Sequence, residues 1–195
     1  AATGKPFVRF WLHSAHLLVD GRKMSKSNGN FHTVRDLLAR GFNGREIRYA
    51  LLAAHYRLPL NFTLDGLEAA RQALQRLDAW AERLAKAAGA APLPAGHGPL
   101  AAAFLECLDD DLNISDALGR LFSELRASNR GMDEGQLDAV EAAALRRDWD
   151  FIQQVLGLPP ATSDNPPKKA MALAREREAA RKAKDFKRSD ELRKA

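Results

Sequence analysis

The sequence predicts a mainly α protein: a short α/β segment carrying a polar loop, followed by a helical bundle. Three observations lead there. Apolar residues recur at three- and four-residue steps from Leu67 to Leu156, the period of helices that bury one face. The chain is rich in alanine and leucine while aromatics make up only 7%, a composition that favours helices. The first 20 residues read differently, with Phe7, Arg9 and Trp11 alternating with Val8, Phe10 and Leu12, which suits a strand or a short entry to one.

In order, Leu17 to Val19 runs into Asp20-Gly21, a turn dipeptide. Residues 23–30 have no hydrophobic period and are rich in Ser, Asn and Gly, so they predict an exposed loop. Thr33 is placed to cap a brief helix, with Asp36 as its capping-box partner and Gly41 closing it. A second helix is expected from Gly44 to His55, ended ahead of Pro59. From Thr63 a long amphipathic helix presents Leu67, Ala70, Leu74, Leu77, Trp80 and Leu84, and stops at Gly89. A Pro/Gly-rich loop, 92–99, precedes a helix from Leu100 to Leu108. Ser115 is expected to cap the next, whose face is Leu118, Leu121, Phe122 and Leu125. Leu137, Val140, Ala144, Trp149, Ile152 and Leu156 define another, ended by Gly157 and Pro159-Pro160. The divisions expected are 1–62, a bundle over 63–158, a linker over 159–167 and a basic last helix over 168–195. Trp80, Phe104, Phe122 and Trp149 are core candidates.

Charge is unevenly spread. Residues 1–60 carry ten Lys and Arg against three Asp and Glu, a net of +7. Residues 61–167 carry nine against 17, a net of −8, and residues 168–195 carry eleven against five, a net of +6. Polyanions should be drawn to the two ends. Arg35, Arg45, Arg48 and Arg57 supply candidate phosphate contacts at the front, and Lys182, Lys184, Lys187 and Arg188 supply them at the back. Arg181, Lys184 and Arg188 share a helical face. No apolar run approaches the roughly 18 residues of a membrane span, and the first residues carry no secretory layout. The one cysteine, Cys107, excludes a disulfide framework or Cys-paired zinc site within these residues and is expected to be a small core residue. A cytoplasmic, monomeric protein is expected.

The loop Lys23-Met24-Ser25-Lys26-Ser27 is the sharpest chemical signal. Two lysines three apart, with hydroxyls beside them, suit a polyphosphate: ammonium groups neutralise developing charge, while Ser hydroxyls and backbone N–H groups donate hydrogen bonds. An ordinary basic surface loop is the plain alternative. Asp109, Asp110 and Asp111 invite a metal reading, but consecutive side chains diverge and acids there also complement the start of the next helix, so no metal site is assigned.

KMSKS is the second signature of class I aminoacyl-tRNA synthetases. Its surroundings, WLHSAHLLVDGRKMSKSNGNFHTVRDLL, resemble the cysteinyl-tRNA synthetase version of this region. EIRYALLAAHYRLPLNFT, the DDDLN and SDALGRLF stretches, and the tail RKAKDFKRSDELR resemble the same family in order and spacing. The resemblance covers essentially the whole chain and matches that family's C-terminal portion. It implies that Lys26 contacts ATP during cysteine activation, with Lys23, Met24, Ser25 and Ser27 shaping the loop around the phosphates. His13 falls where the family has a histidine just ahead of the loop. His55, Tyr56 and Arg57 belong, on this resemblance, to the junction that meets the inner bend of tRNA; a structural helix terminus is the alternative. tRNA contacts are assigned to Arg35, Arg48, Arg57, Lys184 and Arg188. In the complete enzyme the family uses ATP with Mg2+ and a zinc site, but the zinc ligands and the HIGH-type signature are not among these residues. His13-Ser14-Ala15-His16 has a similar look but leads into a strand-like run, and Asn28 stands where leucine is usual. The expected function is therefore the ATP loop and tRNA-binding helical part of a cysteine–tRNA ligase, inactive alone. The alternatives are a related cysteine:amino-sugar ligase and a truncated paralogue that binds RNA or protein.

Overall fold

The computed structural model describes residues 4, 8–25, 27, 29–159, 176–178, 180–181, 185–186 and 188–190. The chain divides into two compact units, Ala1–Pro160 and Ala161–Ala195. Within the first unit, strands β1 (Leu17–Val19), β2 (Arg22–Lys23) and β3 (Leu60–Phe62) frame the short helices α1 (Val34–Ala39) and α2 (Gly44–Leu52). Four longer helices follow: α3 (Leu64–Ala88), α4 (Pro99–Asp109), α5 (Ile114–Asp133) and α6 (Ala139–Leu156). The mainly α class with a small mixed segment is the observed architecture.

The sheet has the order β2-β1-β3. β1 and β2 form an antiparallel hairpin with Val19 opposite Arg22. Asp20 and Gly21 turn it with φ of 49° and 71°, the paired positive angles that a two-residue turn matched to strand twist requires. The Gly21 N–H donates to Asn61 Oδ1 at 2.7 Å. β3 returns parallel to β1, with Val19 opposite Phe62. Beneath lies a small core of Val19, Leu37, Ile47, Phe62 and Leu67, against which Met24 and Phe42 pack.

A larger core fills the bundle. Trp80, Phe104, Leu121, Trp149 and Ile152 are all buried in it, and the two indoles meet at 6.0 Å. Trp80 Nε1–H donates to Ser128 Oγ at 2.9 Å, so its polar atom is not stranded. Phe122 is only half-buried, with the Arg76 guanidinium 5.4 Å above its ring. The N-terminus of α4 has no side-chain cap of its own. Asp148 of α6 substitutes, accepting from the Gly98 N–H at 2.6 Å and the Ala101 N–H at 3.1 Å. A Cβ at residue 98 would come within 2.8 Å of that carboxylate, which explains the glycine.

Four expectations need correction, and one strand was not foreseen. Residues 8–16 form no strand; Phe10, Trp11 and Leu12 are exposed, and nothing in the described residues pairs with them as a ladder. β3 was not foreseen, because three residues carry too little period to register. α2 stops at Leu52 rather than His55, with Ala53 as its C-cap. Asn113, not Ser115, caps α5, because its side chain accepts from the Asp116 N–H three residues on. Val140 faces solvent, and the buried face of α6 is Ala142, Ala143, Asp148, Trp149, Ile152, Gln153 and Leu156. The Thr33 cap with its Asp36 partner is present as expected.

The described residues of the second unit are helical at 176–178, 180–181, 186 and 188–190. Among the described residues no helix is long and apolar enough to cross a membrane.

Candidate functional site

The polar loop leaves the sheet at the end of β2 and leads to the Thr33 cap of α1. Lys23 belongs to β2, opposite Leu18. Met24 turns inward, half-buried on the small core. The Ser25 N–H donates to Asn30 Oδ1 at 3.0 Å, and the Ser25 and Ser27 hydroxyls lie 3.1 Å apart. Asn30 Nδ2 donates to the carbonyls of Lys23 at 3.2 Å and Val19 at 3.3 Å. Asn30 was not singled out by its sequence position, because its three partners become neighbours only when the hairpin forms. Lys26 and Asn28 lie outside the described residues. Residues 21–31 contain no carboxylate and carry Arg22, Lys23 and Lys26, so the charged side chains of this loop are all cationic.

His13 is exposed and stacks on Trp11, with centroids 6.1 Å apart. Its neighbours Ser14 and Ala15 line an apolar groove of about 510 Å³ with Leu51, Leu58, Leu112 and Val155. The Ala15 N–H is fastened to the Tyr56 carbonyl at 2.7 Å.

Three of the front arginines are engaged within the fold. Arg45 makes two 2.6 Å bonds to Asp78 of α3. Arg48 Nε–H donates to the Leu156 carbonyl at 2.7 Å, binding α2 to the end of α6. Arg57 Nε–H reaches Asp111 Oδ2 at 2.5 Å, and the Tyr56 hydroxyl donates to Asp111 Oδ1 at 2.5 Å. These two donors hold the Asp111 carboxyl down to a pKa of about 2, Arg57 being the larger influence. The same carboxylate pushes the Tyr56 hydroxyl upward. Arg71, not foreseen, bonds to Glu46 at 2.9 Å and to the Gly41 carbonyl at 2.9 Å. Arg35 is exposed on α1. In the second unit, Arg188 lies 3.9 Å from Glu176, and Lys184 lies outside the described residues.

Cys107 donates to the Ala103 carbonyl and to Asp116 Oδ2, each at 3.2 Å. Burial first, then the Asp116 carboxylate, pushes its thiol pKa up. Among the described residues no group of three or more His, Cys, Asp or Glu side chains is placed to hold a metal ion, and no step through zinc is derived for this chain.

Residues 1–72 match the family described as tRNA synthetases class I (C) catalytic domain, and residues 103–159 match the DALR domain. The chain is thus related to the class I tRNA synthetases, with the sheet, the loop and the start of α3 inside the first match and most of α4 to α6 inside the second. More narrowly, it is a homologue of the cysteine–tRNA ligases. It is 45% identical to that of Chlamydia muridarum over 97% of this chain and 42% of the relative. The Chlamydia pneumoniae ligase is 44% identical over 99% of this chain and 42% of its own length. The Protochlamydia amoebophila ligase is 40% identical over 99% and 41% respectively. The chain spans about two fifths of the length of these curated relatives.

Proposed function

We propose that the chain is the C-terminal portion of a cytoplasmic cysteine–tRNA ligase, supplying the ATP-binding loop and the tRNA-binding helical part. The observation that supports this best is the KMSKS pentamer seated at the end of a hairpin, inside the stretch that matches the class I catalytic domain. In the reaction proposed, a cysteine carboxylate oxygen attacks the α-phosphorus of ATP and the bond to pyrophosphate breaks, giving cysteinyl-adenylate. The tRNA terminal hydroxyl then takes the cysteinyl group, and AMP leaves. Lys23 and Lys26 are assigned to the charge that grows on the departing pyrophosphate. Such groups act on the transition state more than on bound amino acid. The zinc site and the nucleotide-binding half are expected elsewhere in the complete enzyme, as is Mg2+ brought with ATP.

For RNA, the proposal divides the basic residues. Arg35, Lys184 and Arg188 are assigned to tRNA phosphates. Arg48 and Arg57 are assigned to the junction itself, because each already serves a partner across it. Helices α3 to α6 form the anticodon-side domain.

The test is Lys26→Ala in the complete enzyme, read as cysteine-dependent exchange of pyrophosphate into ATP. The expected result is a loss of about 100-fold in kcat, with the KM for cysteine changed by less than about twofold. Equal losses in kcat and in cysteine affinity would make Lys26 structural and overturn its assignment.

A further inference from the structure

We propose that Asn30, three residues beyond the pentamer, is a positioning residue for phosphate chemistry: it fixes the backbone of Lys23 to Ser25 relative to β1. This rests on the reading of the loop as an ATP-binding element and deepens it.

A primary amide has one acceptor oxygen and two N–H donors, and at Asn30 all three are used. The oxygen takes the Ser25 N–H at 3.0 Å. The nitrogen donates to the carbonyls of Lys23 at 3.2 Å and of Val19 at 3.3 Å. Val19 is only 1% exposed and anchors the small core, so one end of the bridge is fixed. The other end grips the peptide groups on both sides of Met24, whose side chain is itself packed on that core. The first half of the pentamer is therefore held from within by a side chain and from beside by an amide. Chain direction at Lys23 and Ser25, and hence where their donors lie, follows from this grip.

The pattern is selective for an amide. A carboxylate at residue 30 has acceptors only: it keeps the Ser25 bond but sets negative oxygen against two carbonyls, removing both donors at nearly constant volume. An alanine removes all three bonds. Misplacing groups that face a transition state by about 1 Å can cost on the order of 100-fold in rate without touching the chemistry itself.

The experiment compares Asn30→Asp and Asn30→Ala in the complete enzyme, by cysteine-dependent pyrophosphate exchange and by thermal unfolding. The expected result is a fall in kcat of about 10- to 100-fold for both variants. The KM for cysteine should stay within about twofold, and the melting transition should remain cooperative. The near-isosteric Asp variant keeps the test sound if the Ala variant folds poorly. Exchange within twofold of the parent in Asn30→Asp overturns the inference. So does a parallel loss of kcat and cysteine affinity that tracks lost thermal stability, since that marks a purely structural role. If Lys26→Ala slows exchange while both Asn30 variants do not, this inference alone fails. If the unsubstituted enzyme shows no cysteine-dependent exchange, the reading of the loop fails and the inference falls with it.

Discussion

Asp111 has partners that its sequence neighbours do not disclose. In the sequence it is the third of three acids, and the run suggests either a cation or a helix dipole. In the structure its backbone sits at a φ of 54°, and its carboxylate joins Tyr56 and Arg57 to the α4–α5 turn. Its folded pKa of about 2 lies below the roughly 3.9 of an unfolded aspartate. Between those values the unfolded chain binds more protons, so stability is present above about pH 4 and is lost as pH falls toward 2. Asp36 and Asp116, also held low by their hydrogen bonds, add to the same slope. Denaturant midpoints measured from pH 4 to pH 2 should therefore fall less steeply in Asp111→Asn than in the parent. Identical slopes would show that the ion pair contributes nothing to folding. Local motifs such as the Thr33 cap were legible because donor and acceptor lie three residues apart. The equivalent Asn43–Glu46 box is just as local and equally open to inspection. Asn30 and Asp111 were not legible, because their partners meet only in the folded chain.

Elements with several turns of clear period announced themselves. α3 keeps its apolar stripe over 25 residues and lies where the sequence placed it, from Thr63, which the structure shows to be its N-cap, to Gly89. β3, three residues long, owes its existence to a parallel partner about 40 residues earlier and left no period to read. The start of α4 illustrates a dependence between elements: its cap is Asp148, from α6. Asp148→Ala should lower unfolding free energy by about 1–2 kcal/mol, the usual worth of a helix cap. Two N–H groups at the start of α4 lose their acceptor in that variant. Asp148→Asn should recover part of this, since an amide oxygen can still accept from one of them. Urea unfolding of the three proteins measures it, and a change below about 0.5 kcal/mol for the alanine variant would mean that water replaces the carboxylate without cost.

Across the molecule, the charge pattern suggested a basic front surface for RNA, and the structure redistributes it. Arg45 and Arg57 meet carboxylates of the helical part and Arg48 a carbonyl there, so three of the ten basic residues in 1–60 serve to hold the front segment against the acidic bundle. That is electrostatic complementarity within one fold, invisible to a count of charges. It shifts the proposed RNA contacts toward Arg35 and the basic tail, and it ties α2 and the segment before β3 to the helices of the first unit. Such a relation is what the proposed ligase function asks of this segment. The most direct measurement is aminoacylation by the complete enzyme, with cysteine and its tRNA supplied alongside other amino acids and other tRNAs. The account predicts ATP-dependent charging of the cysteine tRNA with cysteine and with no other amino acid. Stable transfer of cysteine to an amino sugar instead, or tRNA binding with no charging at all, would contradict it.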